Sequence, residues 1–221
     1  MIAAWRSVIE RAQAAAAGRS IEVLAVSKTR PAQQIRTLAE AGQRAFGENY
    51  VQEARGKQTG LSDCSIEWHL VGPLQSNKCA DVAGHFDWLQ TLDRSKLVAL
   101  LARYRPESMP PLNVLIQVNI DDESSKAGCN PEEIATLAHA VGKEPRLRLR
   151  GLMAIPAPAT DMALRRKAFS RMRACFETLA RQHAGIDTLS MGMSDDFELA
   201  IAEGATMVRV GSLLFGPRGR E

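Results

Sequence analysis

Lys28 stands in "LAVSKTRP", residues 24–31, where an apolar run stops on Ser27 and Lys28 with Pro31 close behind. The other lysines fall mostly in helical patterns as solvated surface charges, and Lys28 alone terminates an apolar strand. An amine shielded from water at such a place loses its proton more readily, and a neutral amine attacks carbonyls to form Schiff bases. The plainer reading is a lysine that snorkels to solvent from a strand end.

A second constellation lies near the C-terminus. "GMSDD" places Gly192 and Ser194 at a helix start, and "RVGSLLFG" places Gly211 and Ser212 before a short apolar turn. Backbone N–H groups at a helix N-terminus, unobstructed at glycine and joined by serine hydroxyls, suit a phosphate dianion. Arg209 lies two residues before Gly211 and so on the same strand face. Its fixed fork suits phosphate or a ring nitrogen. The competing reading makes both glycines plain turn residues and both serines N-caps.

The elements that would position these groups alternate. Short apolar runs read as strands at 23–26, 45–48, 68–72, 88–92, 114–120, 149–155, 189–193 and 207–211. Helical patterns separate them. "PAQQIRTLAEAG" opens on Pro31 and stops at Gly42; "NPEEIATLAHAVG" has Asn130 as cap, Pro131 at the start and acidic residues facing the helix dipole. The longest is "ATDMALRRKAFSRMRACFETLARQH", with Phe169, Met172, Phe176 and Leu179 on one stripe.

Strands alternating with helices, without a composition break, predict an α/β chain folded as a single (β/α)8 TIM-type barrel over residues 1–221. A flavodoxin-like or Rossmann sheet is the runner-up, weakened because no G-x-G-x-x-G follows the first strand. Residues 1–18 predict an extra N-terminal helix packed on the barrel: Ile2, Trp5, Ile9 and Ala12 recur at helical spacing, and Arg6, Glu10 and Arg11 interrupt any signal-peptide core.

Composition excludes several classes. Hydrophobic residues at 45%, charged residues at 24% and a formal charge of +3 describe an ordinary globular protein without a nucleic-acid footprint. "RLRLRG" at 146–151 reads as a strand with one polar face. The four cysteines are scattered singly, with neither zinc nor disulfide spacing, so a reducing cytoplasmic setting is the expectation. No run is long enough to span a membrane.

In such a barrel the strand-end lysine and the loops after strands seven and eight meet at one mouth. Together they describe a pyridoxal 5′-phosphate (PLP) site, with the aldehyde held by Lys28 and the phosphate anchored opposite. A Schiff-base aldolase for sugar phosphates uses similar parts, but no acid/base partners near the lysine can be assigned. A barrel that binds some other phosphorylated metabolite is a third reading.

The stretches "LAVSKTRP", "FGENYVQEA", "IEWHLVGPLQSNK", "LIQVNIDDESSKAG", "RLRGLMAIP" and "SMGMSDDFELAIAEGATMVRVGSLLFG" resemble the pyridoxal phosphate homeostasis protein family, also described as alanine racemase N-terminal-domain-like. The resemblance runs from about residue 22 to residue 217. It implies a PLP-binding barrel with its Schiff base on Lys28, Asn49 beside the cofactor, and Ser194, Arg209, Gly211 and Ser212 around its phosphate and ring. It further implies a protein that holds and delivers PLP, with PLP-dependent apo-enzymes as recipients, and balances vitamin B6 and amino-acid pools with little or no catalysis; a monomer is the separate expectation, since no exposed apolar stripe demands a dimer. The alternative is a weak PLP-dependent amino-acid racemase.

Racemases of this type add a tyrosine from a C-terminal β-domain. That domain is expected to be absent, since the sequence runs only to Glu221 after Gly211, and its tyrosines are Tyr50 and Tyr104. One departure from the family pattern follows "LQSNK", where Cys79 and Ala80 replace a small polar and a basic residue.

Other residues carry open readings. His69 in "WHLVG" is expected to aim at the mouth, as a site residue or as an internally bonded core histidine. Ser76 or Asn77 would cap the next helix, with Lys78 attracting anions. Lys126 is by default a solvated loop charge, otherwise a gate or second PLP contact.

Overall fold

The computed structural model describes residues 1–121, 127–156 and 161–216. Its strands are β1 (Glu22–Val26), β2 (Ala45–Glu48), β3 (Glu67–Leu70), β4 (Trp88–Leu92), β5 (Leu112–Gln117), β6 (Leu147–Met153), β7 (Thr188–Ser190) and β8 (Met207–Val210). They are parallel and adjacent in chain order, and β8 pairs back with β1 to close a barrel. The predicted (β/α)8 architecture is the observed one.

Strand ends differ from the expectation by a few residues. β3, β5, β6, β7 and β8 stop before the apolar runs do. Val71, Val118, Ile120, Ala154 and Met191 continue those runs yet lie beyond the last ladder residues, and all are buried. The loops at the barrel mouth therefore carry core of their own, which hydropathy alone reads as more strand.

The N-terminal helix α1 (Ile2–Ala16) buries Val8, Ala12 and Ala16, a stripe four residues apart. Trp5 Nε1 donates to Gln43 Oε1 at 2.8 Å, and Arg11 pairs with Glu198. Around the barrel follow α2 (Ala32–Glu40), α3 (Val51–Thr59), α4 (Cys79–His85), α5 (Ser95–Tyr104), α6 (Ile134–Gly142), α7 (Met162–Gln182), α8 (Phe197–Ala202) and α9 (Ser212–Phe215). Asn130 N donates to Glu133 Oε2 at 2.8 Å in the turn that opens α6. Asp161 caps α7 by accepting from Ala163 N at 2.8 Å. The apolar stripe of α7 buries Phe169, Met172 and Leu179 against the sheet.

Inside the barrel, Leu24, Ala45, Val71 and Met207 form one apolar layer, and Trp88, Leu115 and Met153 another. A polar chain runs between them. Arg209 Nη1 donates to Ser190 Oγ (2.7 Å), Ser190 Oγ to Gln90 Oε1 (2.7 Å), and Gln90 Nε2 to His69 Nδ1 (3.0 Å). His69 Nδ1 accepts, so its proton is on Nε2, which donates to Glu67 Oε1 at 2.9 Å. Arg150, from the "RLRLRG" strand, pairs with Asp187 and lies over the Trp88 ring at 4.6 Å. No helix among the described residues is long and apolar enough to cross a membrane.

All four cysteines are free. Cys79 and Cys129 are buried, and burial pushes the Cys129 thiol up to about 12. A thiol reagent at mildly alkaline pH is therefore expected to modify the half-buried Cys64 and Cys175 in the folded chain, and Cys79 and Cys129 only after denaturant is added. Peptide mapping of the labelled sites checks this. Native labelling of Cys129 at the rate of Cys64 contradicts it.

Candidate functional site

β1 leaves the barrel at Val26 and the chain turns at once. Ser27 N donates to Gly47 O at 2.9 Å, and Arg30 N donates back to Ser27 O at 3.0 Å, closing a tight turn over Lys28 and Thr29. Lys28 therefore stands in the turn, half-buried, two residues beyond the strand end. Thr29 has φ +62°, a left-handed backbone that a β-branched residue rarely adopts. Its amide donates to Glu53 Oε1 at 2.6 Å. Strain of this kind persists only where surrounding bonds over-determine it.

The opposite wall comes from the loops after β7 and β8. Gly192 has φ +90°, and a Cβ there would sit 2.5 Å from the Ala200 Cβ, so only glycine lets this loop pass against α8. Asp196 accepts from Met193 N at 2.7 Å and pairs with Arg165, ordering the "MSDD" turn. Ser194 Oγ lies 3.4 Å from Gly211 N, long for a hydrogen bond. Arg209 is 5% exposed, donating to Ser190 Oγ and to Ala154 O at 2.8 Å. Burial lowers its pKa to about 10, which leaves it charged near neutral pH.

Lys28, Asn49, Ser194, Arg209, Gly211 and Ser212 line one cavity of about 320 Å³. It opens at the carboxyl ends of the strands, the functional end of this fold. Arg30 and Asp195 line it too and were not singled out from the sequence, although each adjoins a motif that was. Beside Arg30 and Asp195, the set is one primary amine, one guanidinium of lowered pKa, an amide, two hydroxyls and a glycine-lined turn. A Cβ on Gly211 would lie 3.1 Å from Val26 O, crowding the seam between β8 and β1. A small molecule with an aldehyde at one end and a phosphate dianion at the other matches this donor set.

Three expectations fall elsewhere. His69 does not reach the mouth: β3 ends at Leu70, and its ring is fully buried in the barrel between Glu67 and Gln90, stacked on Trp88 at 5.1 Å. The core-histidine reading describes its contacts. Ser76–Lys78 forms a short 3-10 turn, and among the described residues no side-chain hydrogen bond caps it or α4. Lys78 is half-buried and not among the residues lining the cavity. Lys126 lies outside the described residues.

A family model described as "Alanine racemase, N-terminal domain" matches residues 2–219. The chain is 53% identical over 211 residues to a pyridoxal phosphate homeostasis protein of Pseudomonas aeruginosa, covering 94% of this chain and 90% of that one. It is 52% identical over 213 residues to the protein of that name in Escherichia coli, covering 94% and 91%. Among solved structures, PipY of Synechococcus elongatus with PLP bound aligns with TM-score 0.82 at 38% identity, over 94% of this chain and 99% of that one. An alanine racemase of Clostridium difficile in complex with cycloserine aligns with TM-score 0.76 at 12% identity over 59% of its own length, a likeness of fold.

Proposed function

The chain belongs to the alanine racemase N-terminal domain family and, within it, to the pyridoxal phosphate homeostasis proteins, and from that premise we propose that it holds PLP in the barrel mouth with Lys28 as the attachment point. The observation that carries this is one shared cavity: the lysine of the first strand's exit and the serines, glycine and arginine of the last two strands' exits line it together. PLP supplies an aldehyde that condenses with an amine, releasing water, and a phosphate dianion that anchors the molecule.

The chain's own residues divide the work. Lys28 offers the amine from a half-buried turn. Ser194 and Ser212 would offer hydroxyls, and the Gly211 turn its backbone N–H, to the phosphate. Arg209, a strand residue two positions deeper than Gly211 and tied to Ser190, would face the ring rather than the phosphate, a reading its depth in β8 supports. A guanidinium there would keep a pyridine nitrogen unprotonated and the ring a poor electron sink. Asn49, at the end of β2, closes the side wall.

The same set supports custody of the cofactor over turnover. Racemisation needs a second base facing Lys28, and neither tyrosine nor histidine is among the described residues that line the cavity. Tyr50 is near the mouth but 59% exposed. The reading is of a protein that stores and releases PLP in the service of vitamin B6 and amino-acid balance.

The test is chemical. The PLP-loaded chain is reduced with borohydride, digested and mapped, with Lys28→Ala in parallel. The expected adduct is on Lys28 and vanishes in the variant; an adduct mapped to another lysine overturns the reading.

A further inference from the structure

The two residues flanking Lys28 are held by a single buried ammonium. Lys57, on α3, is 7% exposed although its neighbours Arg55 and Gly56 face solvent. An ammonium has three donors. Lys57 Nζ spends them on Ser27 O at 2.8 Å, Glu48 Oε1 at 2.7 Å and Glu53 Oε1 at 2.7 Å. The acceptors in turn grip the turn: Glu48 Oε1 takes the Ser27 hydroxyl at 2.6 Å, and Glu53 Oε1 takes the Thr29 amide at 2.6 Å.

The placement follows from strand alternation. Val26 and Lys28 face the cavity, so Ser27 between them faces the helix layer; Asn49 faces the cavity, so Glu48 before it faces the helix layer as well. The carboxylate of Glu48 is fully buried, and burial pushes its pKa up against the hydrogen bonds from Lys57 and Ser27. Among the described residues Lys57 is the cation that pairs with it, and its second oxygen has no hydrogen-bond partner there. A buried ion pair kept for stability alone has no reason to include the main chain on both sides of one mouth lysine. It also has no reason to hold a threonine at φ +62°.

We infer that Lys57, with Glu48 and Glu53, is a positioning cluster that holds the 27–29 turn so that the Lys28 amine enters the cavity at the aldehyde. The inference rests on the function proposed above. None of the three touches the cavity. They act through Ser27 and Thr29, so they govern the covalent linkage and leave the phosphate and ring contacts alone.

The experiment separates these two quantities. Full-length Lys57→Met, Glu53→Ala and Glu53→Gln are loaded with PLP, and the borohydride-fixed share of bound PLP at Lys28 is measured. Affinity for 4′-deoxypyridoxine 5′-phosphate, which has a ring and a phosphate but no aldehyde, is measured alongside. Lys57→Met and Glu53→Ala are expected to lower the fixed share on the order of threefold or more while binding the deoxy analogue within about twofold of the wild type. Glu53→Gln keeps an acceptor for the Thr29 amide and is expected to fall between.

A fixed share equal to wild type in both Lys57→Met and Glu53→Ala overturns the inference, as does a parallel loss of both readouts. Should Lys57→Met fail to fold, Glu53→Ala decides, because the Glu53 side chain is already 25% exposed. A wild-type chain that binds PLP but fixes none of it on Lys28 overturns the underlying function instead, and this inference with it.

Discussion

Replacing Gly72 by alanine is expected to destabilise the fold by at least about 3 kcal/mol and to weaken PLP binding at the same time. Gly72 lies just past β3, and a Cβ there would stand 2.1 Å from Asn49 O and 2.8 Å from Asn49 Cα. Those are backbone atoms, so no rotamer change relieves the clash. The two chains cannot separate cheaply either. Val71 N donates to Glu48 O at 2.9 Å on one side, and Thr91 Oγ1 donates to Gly72 O at 2.8 Å on the other. Asn49 must move, and Asn49 lines the cavity. Gly56→Ala is the matched control: it is an exposed position in α3 with nothing within 4 Å of the added carbon. That change is expected to stabilise the helix by about 0.5–1 kcal/mol. Urea midpoints for the two variants, with PLP titrations, check both signs. An unchanged midpoint for Gly72→Ala would mean the β2 and β3 exits do not approach as described.

The parts of this fold that could be read in advance are those governed by local pattern. Strands buried on both faces show as short apolar runs between helical periods, so their number and order are visible in the sequence. Lys28, Ser194, Arg209, Gly211 and Ser212 were visible because strand ends face one mouth in a barrel. Depth along the barrel axis was not visible. His69 faces inward, as its strand position suggests, but whether an inward residue sits at mouth or floor depends on register against neighbouring strands. Here His69 pairs across from Trp88 and Gly47, below the exit of β3. The cluster behind Lys28 was hidden for a different reason. Lys57 lies in a helix rich in polar residues, where a lysine reads as a surface charge. Two signals pointed the other way: Val51, Ala54 and Lys57 recur every third residue on the buried face of α3, and Glu48 ends a strand that is otherwise apolar. Pairing them required the packing of α3 against β1 and β2.

The barrel buries two arginines whose removal is expected to separate stability from binding. Arg105 donates Nε to Pro110 O at 2.8 Å, and Nη1 to Ala83 O at 2.8 Å and Phe86 O at 2.7 Å. It joins the end of α4 and the entry to β5, at the end of the barrel opposite the mouth. Burial lowers its pKa, yet three carbonyls have turned inward to meet it. Arg105→Met leaves those carbonyls without donors and is expected to destabilise the chain by about 3–5 kcal/mol, with the borohydride-fixed Lys28 adduct retained in whatever fraction is folded. Arg209→Met removes the head of the Ser190–Gln90–His69 chain and a guanidinium buried at the cavity floor. It is expected to weaken the deoxy analogue by about tenfold or more, with a smaller loss of stability because Ser190 can still donate to Gln90. The pH response carries the same assignment. Burial lowers the Arg209 pKa to about 10 in the folded chain, below that of an exposed guanidinium. The unfolded state therefore binds more protons once pH passes the folded-state value, and the stability penalty of burying this charge fades as pH rises above about 10. Its attraction for the ligand fades over the same range, so analogue affinity in the wild type should fall above pH 10 while Arg209→Met shows a flatter profile. Equal slopes for the two chains would remove Arg209 from the cavity floor.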